Sequence, residues 1–137
     1  MIKKPITFTN FEGQKVTEIH YFNLNKVEIA KMEAGSAGGY SGFLSRIVEA
    51  KDSLAMLNVI TDLVEKSYGI KEADGKTFTK SKELTDAFVN SLAFEALFME
   101  LVATENATTA MIEFVKGIIP ADMVSDEQIA KIVSEHT

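Results

Sequence analysis

Few residues of this chain have the types and spacing that chemistry needs. Ala34-Gly35-Ser36-Ala37-Gly38 has the spacing of a nucleophile elbow, where a sharp strand-to-helix turn exposes a serine hydroxyl for acyl transfer. An elbow needs a strand before it, and the pattern upstream is helical, so the loop reads as a plain Gly-rich connector. The only imidazole bases are His20, expected on a strand, and His136, expected to fray near the chain end. The loop also lacks the Gly-Lys-Ser/Thr continuation of a phosphate cradle and the glycine spacing of a dinucleotide turn.

Metal chemistry is equally thin. With Gly75 aligned on the invariant glycine of a calcium loop, the first ligand would be Ile70 and the bidentate twelfth would be Ser81, and neither supplies a carboxylate. Glu18 and His20 lie two apart on one strand face, half of a metal site, and a surface pair is the simpler account. The chain has no Cys, which removes thiolate ligands and disulfides together. Asn106-Ala107-Thr108 fits a glycosylation acceptor, but it fits a helix cap as well, and the chain shows no secretion signal. Thus no catalytic residue, cofactor or metal is expected.

The elements that would position such groups are better marked. Ile6 and Phe8, then Val16, Ile19, Tyr21 and Phe22, predict two strands around Glu12-Gly13-Gln14, with Gly13 able to take the positive φ of a tight turn. Asn25 and Glu28 make an Asn-led capping box for a helix over residues 26–33. After the Gly-rich connector a helix fits residues 40–51, with Phe43, Leu44, Ile47 and Val48 on one side. Asp52 or Ser53 caps a third helix running to Tyr68, striped by Leu57, Ile60, Val64 and Tyr68, with Gly69 as its left-handed C-terminal residue. Asp74-Gly75 predicts a second small hairpin within residues 70–79. Ser81, Ser91 and Asn106 cap three more helices, the last ended by Gly117 ahead of Pro120. Ser125-Asp126-Glu127-Gln128 opens a final helix carrying Ile129, Ile132 and Val133. The fold class expected is α+β, a mostly helical single domain with an N-terminal β-hairpin and a C-terminal helix.

One segment stands apart. Over residues 92–103, Phe94, Leu97, Phe98, Leu101 and Val102 form one stripe, while Leu92, Ala96, Met99 and Ala103 line the opposite side. Such a helix is expected to be buried on two sides, either as a central core helix or with one side against a partner or another copy, where Met99 would adapt to varied apolar shapes. The candidate association residues are therefore Leu92, Ala96, Met99, Ala103, Ile129, Ile132 and Val133.

Composition narrows the classes further. At 137 residues and 46% hydrophobic the chain can bury about two-thirds of its unfolded surface as one domain. Net charge is −6, and Arg46 is the one arginine among 14 basic residues, which argues against nucleic acid. No apolar run has the length of a membrane span, and polar Thr7, Thr9 and Asn10 break any signal-peptide core behind Met1-Ile2-Lys3-Lys4. A cytosolic protein that binds proteins, rather than membrane or nucleic acid, is the expectation.

Several pieces together resemble the tail assembly chaperones of siphovirus-type phages of Gram-positive hosts. They are Phe8-Thr9-Asn10-Phe11-Glu12-Gly13, Tyr21-Phe22-Asn23-Leu24, Ile47-Val48-Glu49-Ala50-Lys51-Asp52, Lys66-Ser67-Tyr68-Gly69, Lys80-Ser81, Leu97-Phe98-Met99-Glu100-Leu101 and Gly117-Ile118-Ile119-Pro120. The resemblance departs at Asn25, where a Thr is usual, and stops short of residues 124–137. It implies a phage or prophage protein of the host bacterial cytoplasm that binds and solubilises the tape measure protein, promotes assembly of the tail tube (major tail) protein, self-associates, and is absent from the mature virion. In that family a longer product often arises by ribosomal frameshifting. The alternative is a structural phage component, a head–tail connector or minor tail protein.

Residues 1–123 are expected to form the chaperone-like domain, with 124–137 a separable helix too short to be stable alone in water. Truncation after Met123 is expected to leave the thermal transition nearly intact while reducing oligomer size. Unfolding of the truncated chain would make the helix part of the core.

Overall fold

The computed structural model describes residues 1–34, 39–103 and 105–120. Strands β1 (Ile2–Thr9) and β2 (Lys15–Phe22) pair antiparallel from Ile2 opposite Phe22 to Thr9 opposite Lys15. Asn10 builds the turn: its side-chain oxygen accepts the N–H groups of Glu12 and Gln14, and Gly13 takes φ 79°. There follow α1 (Lys26–Ala34), α2 (Gly39–Glu49), α3 (Ser53–Ser67), β3 (Tyr68–Lys71), β4 (Phe78–Thr79), α4 (Lys82–Val89), α5 (Leu92–Val102) and α6 (Ala107–Ile118). The expected α+β class and N-terminal hairpin are present. The connector at residues 35–38 and the expected helix over 124–137 lie outside the described residues.

Helix starts follow the caps. Asn25 accepts from the Glu28 N–H at 2.8 Å while Glu28 accepts from the Asn25 N–H at 3.0 Å, the reciprocal box. Asp52, Ser81, Ser91 and Asn106 each accept the N–H three residues on.

Two glycines do something other than expected. Gly69 does not end α3 in a left-handed turn. The helix passes directly into β3 at Tyr68, and a Cβ on Gly69 would lie 2.6 Å from both the Thr79 carbonyl oxygen and the Phe78 ring. Gly117 does not end α6, which runs on to Ile118. A Cβ there would meet Ile2 Cγ1 at 2.5 Å, so glycine lets α6 close on β1. The second hairpin also joins the first through Tyr21 opposite Gly69 and Phe22 opposite Tyr68, giving one four-stranded sheet in the order β1-β2-β3-β4.

Helices pack on the sheet face that carries Ile2, Ile6 and Phe22. Phe22 is fully buried, with the Phe88 and Phe114 rings edge-on at 5.6 and 5.3 Å. Leu44, Ile47 and Val48 of α2 are buried, whereas the Phe43 side chain lies outside the described ones. The buried face of α3 is wider than its expected stripe, adding Val59 and Leu63. Arg46 of α2 reaches Asp62 of α3 at 2.6 Å, and Lys66 also bonds Asp62. Burial pushes the Asp62 carboxyl up, but these two cations outweigh it and hold it below its ordinary range.

Phe22-Asn23-Leu24-Asn25 joins the sheet to three helices. Asn23 N–H donates to the last α3 carbonyl, Ser67, and Leu24 N–H to the Ile118 carbonyl at the end of α6. Lys80 completes this junction. Its ammonium donates to the Asn23 carbonyl at 2.6 Å, the Lys66 carbonyl at 2.8 Å and Glu28 Oε2 at 2.6 Å, one acceptor for each proton. Lys80→Met is expected to cost about 1–3 kcal/mol by stranding those acceptors, and Asn25→Ala about 0.5–2 kcal/mol by removing the cap. Chemical denaturation reads both, and an unchanged midpoint would show that the junction holds without the residue replaced.

Candidate functional site

The sequence candidates for chemistry that fall on described residues have structural occupations, while Ser36 and His136 lie outside them. His20 Nε2 lies 2.9 Å from Glu18 Oε1 and Nδ1 lies 3.1 Å from the Tyr68 hydroxyl, with the Phe88 ring 4.7 Å away. Burial, and then the Glu18 charge, push the Tyr68 hydroxyl pKa up, keeping it a neutral partner for the ring. His20 thus fills the seam between β2, β3 and α4. Among the described residues no three His, Cys, Asp or Glu side chains converge as metal ligands. Asp74 closes the β3–β4 turn: its carboxylate accepts from Thr77 Oγ1 and from the Lys76 and Thr77 N–H groups, which hold its pKa below the usual range, while Gly75 takes φ 74°. Asn106 caps α6.

The association face read on α5 is only partly open. Ala93, Phe94, Leu97 and Leu101 are buried, Leu92 and Ala96 are half-buried, and Met99 and Ala103 are exposed, Met99 at 52%. Of the two readings, the central core helix enclosed on both sides within one chain is therefore corrected. One side of α5 packs inward on β1 and its neighbouring helices, and the other carries Glu95 and Met99 outward. Lys4 of β1 meets the exposed Glu100 at 2.8 Å along the flank. The three tail candidates, Ile129, Ile132 and Val133, lie outside the described residues.

Two surfaces escaped the sequence reading. The outer sheet face presents Lys3 beside Tyr21, Pro5 beside Ile19, Thr7 bonded to Thr17, and Thr9 beside Lys15. Ile19 is 51% exposed, and the outward positions of β1 and β2 carry no carboxylate. Strict alternation of exposure along β1 was the available signal, since it places every second residue outside once the pairing is known. At the hairpin tip Phe11 is 89% exposed on the turn that Asn10 braces.

These surfaces expose apolar side chains, while the polar clusters described above are consumed in holding the fold. A family model described as phage tail assembly chaperone matches residues 1–137. The chain belongs to that family. No curated protein and no solved structure matches it. The family match runs through residues 124–137, so that tail belongs to the chaperone sequence and the resemblance drawn from short pieces stopped too early. Membership gives this chaperone a role in phage tail assembly, which implies contact with tail components. No helix of the described residues is long and apolar enough to cross a membrane.

Because Ile19 and Met99 are half in solvent and outside the core, Ile19→Ser and Met99→Ser are each expected to shift unfolding free energy by no more than about 0.5 kcal/mol. Urea titration checks this. A larger loss would make these side chains part of the core rather than of a contact surface.

Proposed function

We propose that this chaperone binds the tape measure protein in the host bacterial cytoplasm, keeps it soluble, and promotes polymerisation of the tail tube (major tail) protein around it. The observation that carries the reading is the family match over the whole chain. The exposed apolar side chains Phe11, Ile19 and Met99, on a domain whose described buried polar side-chain atoms all have partners, suit reversible contact with an apolar helical client. The chaperone acts without catalysis, self-associates so that many weak contacts coat a long client, and leaves before the virion is complete.

Co-expression with the tape measure protein is expected to raise the soluble yield of that client several-fold. Mass spectrometry of purified virions is expected to lack the chain. An unchanged soluble yield removes the chaperone reading, and the chain as a stoichiometric virion component would make it a connector or minor tail protein.

A further inference from the structure

We infer that residues 121–137 lie back over the outer face of this chain's own sheet, entering by a cleft at the end where α6 releases them. The exit point is well defined. Gly117 lies against Ile2, and the Ile118 carbonyl accepts the Leu24 N–H at 3.1 Å, so the chain leaves α6 beside the start of β1 and the end of β2. The neighbours of those two residues, Met1 and Asn23, line a cleft of about 240 Å³ together with Lys71, Lys76 and Phe78. This cleft opens on the outer side. Ile2 and Phe22 are on the core side of the sheet, so Met1 and Asn23, one step along the chain from each, fall on the other. Phe78 does too, because its ring lies where a Cβ of Gly69 would point, and Gly69 pairs with outward Tyr21.

The face beyond the cleft matches this segment in charge and in apolar pattern. Outward strand positions pass from Phe78 by way of Tyr21 to Ile19 and Pro5, with Lys3 and Lys71 among them and no carboxylate. Glu18, beside Ile19, is engaged by His20, and Asp74 by its own turn. Residues 121–137 carry Asp122, Asp126, Glu127 and Glu135 against a single lysine, Lys131. Opposite signs therefore meet along the path. The reach is sufficient as well. Met123 comes three residues after Pro120, close enough to fill the cleft against Phe78. Ile19 lies four residues before Asn23, about 13 Å along the strand. Ile129 is nine residues past Pro120, about 14 Å even at the short rise of a helix. The Ile129, Ile132 and Val133 stripe, unstable alone in water, thus arrives over Ile19, the half-exposed apolar side chain of that face. The core side of the sheet is already covered by helices, and exposed Phe11 stands at the far tip of the hairpin.

A segment tethered to its own site acts at an effective concentration on the order of millimolar, so a weak contact suffices. On the function proposed above, a client that uses Ile19 must first displace the tail, and only that consequence rests on that reading. The test uses the chain alone, so its failure leaves the client reading to the co-expression result. In the full chain Ser134→Cys introduces the one thiol, which carries a nitroxide, and backbone amide signals of the ¹⁵N-enriched protein are compared before and after reduction of the label. The amides of Lys3, Thr17 and Ile19 are expected to lose most of their intensity, while those of Phe11 keep theirs. Ile129→Ser with Ile132→Ser in the labelled chain is expected to restore the lost signals, with the rest of the spectrum reporting an intact fold. A mixture of ¹⁵N chain without the label and labelled chain without ¹⁵N is expected to show no loss at Ile19. Full intensity at Ile19 in the labelled chain, a loss that survives the double substitution, or an equal loss in the mixture, which would place another copy's tail on the face, would each overturn the inference.

Discussion

The three protons of the Lys80 ammonium are shared among the end of β2, the start of α1 and the end of α3. A helix C-terminus carries partial negative charge and unpaired carbonyls, and a capping carboxylate adds a full charge nearby, so a cation is the one group that answers both. Asn23 and Leu24 close the ends of α3 and α6 with their own N–H groups, two and one residues before the Asn25 box. Four element ends are therefore satisfied within a few residues of chain. That junction ties the end of the sheet to α1, α3 and α6 at one point, on the side that Ile2, Ile6 and Phe22 make apolar.

Function follows from what is left uncovered. Polar groups that looked reactive are spent on the fold: His20 on Glu18 and Tyr68, Asp74 on its turn, Asn106 on its cap. The open positions are instead apolar side chains set among charges, such as Ile19 beside Glu18 and Lys71 and Met99 one turn after Glu95. The proposed binding of an apolar client would use this arrangement, because apolar surface provides affinity while charges around it limit unspecific clustering of the chaperone itself.

Local signals were legible in the sequence and long-range closure was not. Asn25-Glu28, Asp52, Ser81, Ser91 and Asn106 could be read as caps because a cap depends on residues three apart. Gly69 and Gly117 were misread as helix ends because each is glycine for a neighbour distant in sequence, Phe78 with Thr79 in one case and Ile2 in the other. Lys80 gave no signal, since its acceptors lie 57, 52 and 14 residues away. On α5 the wheel separated two sides correctly but could not say that only one meets the core. The outer sheet face stayed hidden until the β1–β2 register put Pro5 next to Ile19.

The central claim, that this family member keeps a tail client soluble, is tested most directly by light scattering as tape measure protein is diluted out of denaturant with and without the purified chain. The account predicts that scattering falls in proportion to added chain until the client is saturated. Scattering that is unchanged at molar excess, with the chain folded throughout, would contradict it.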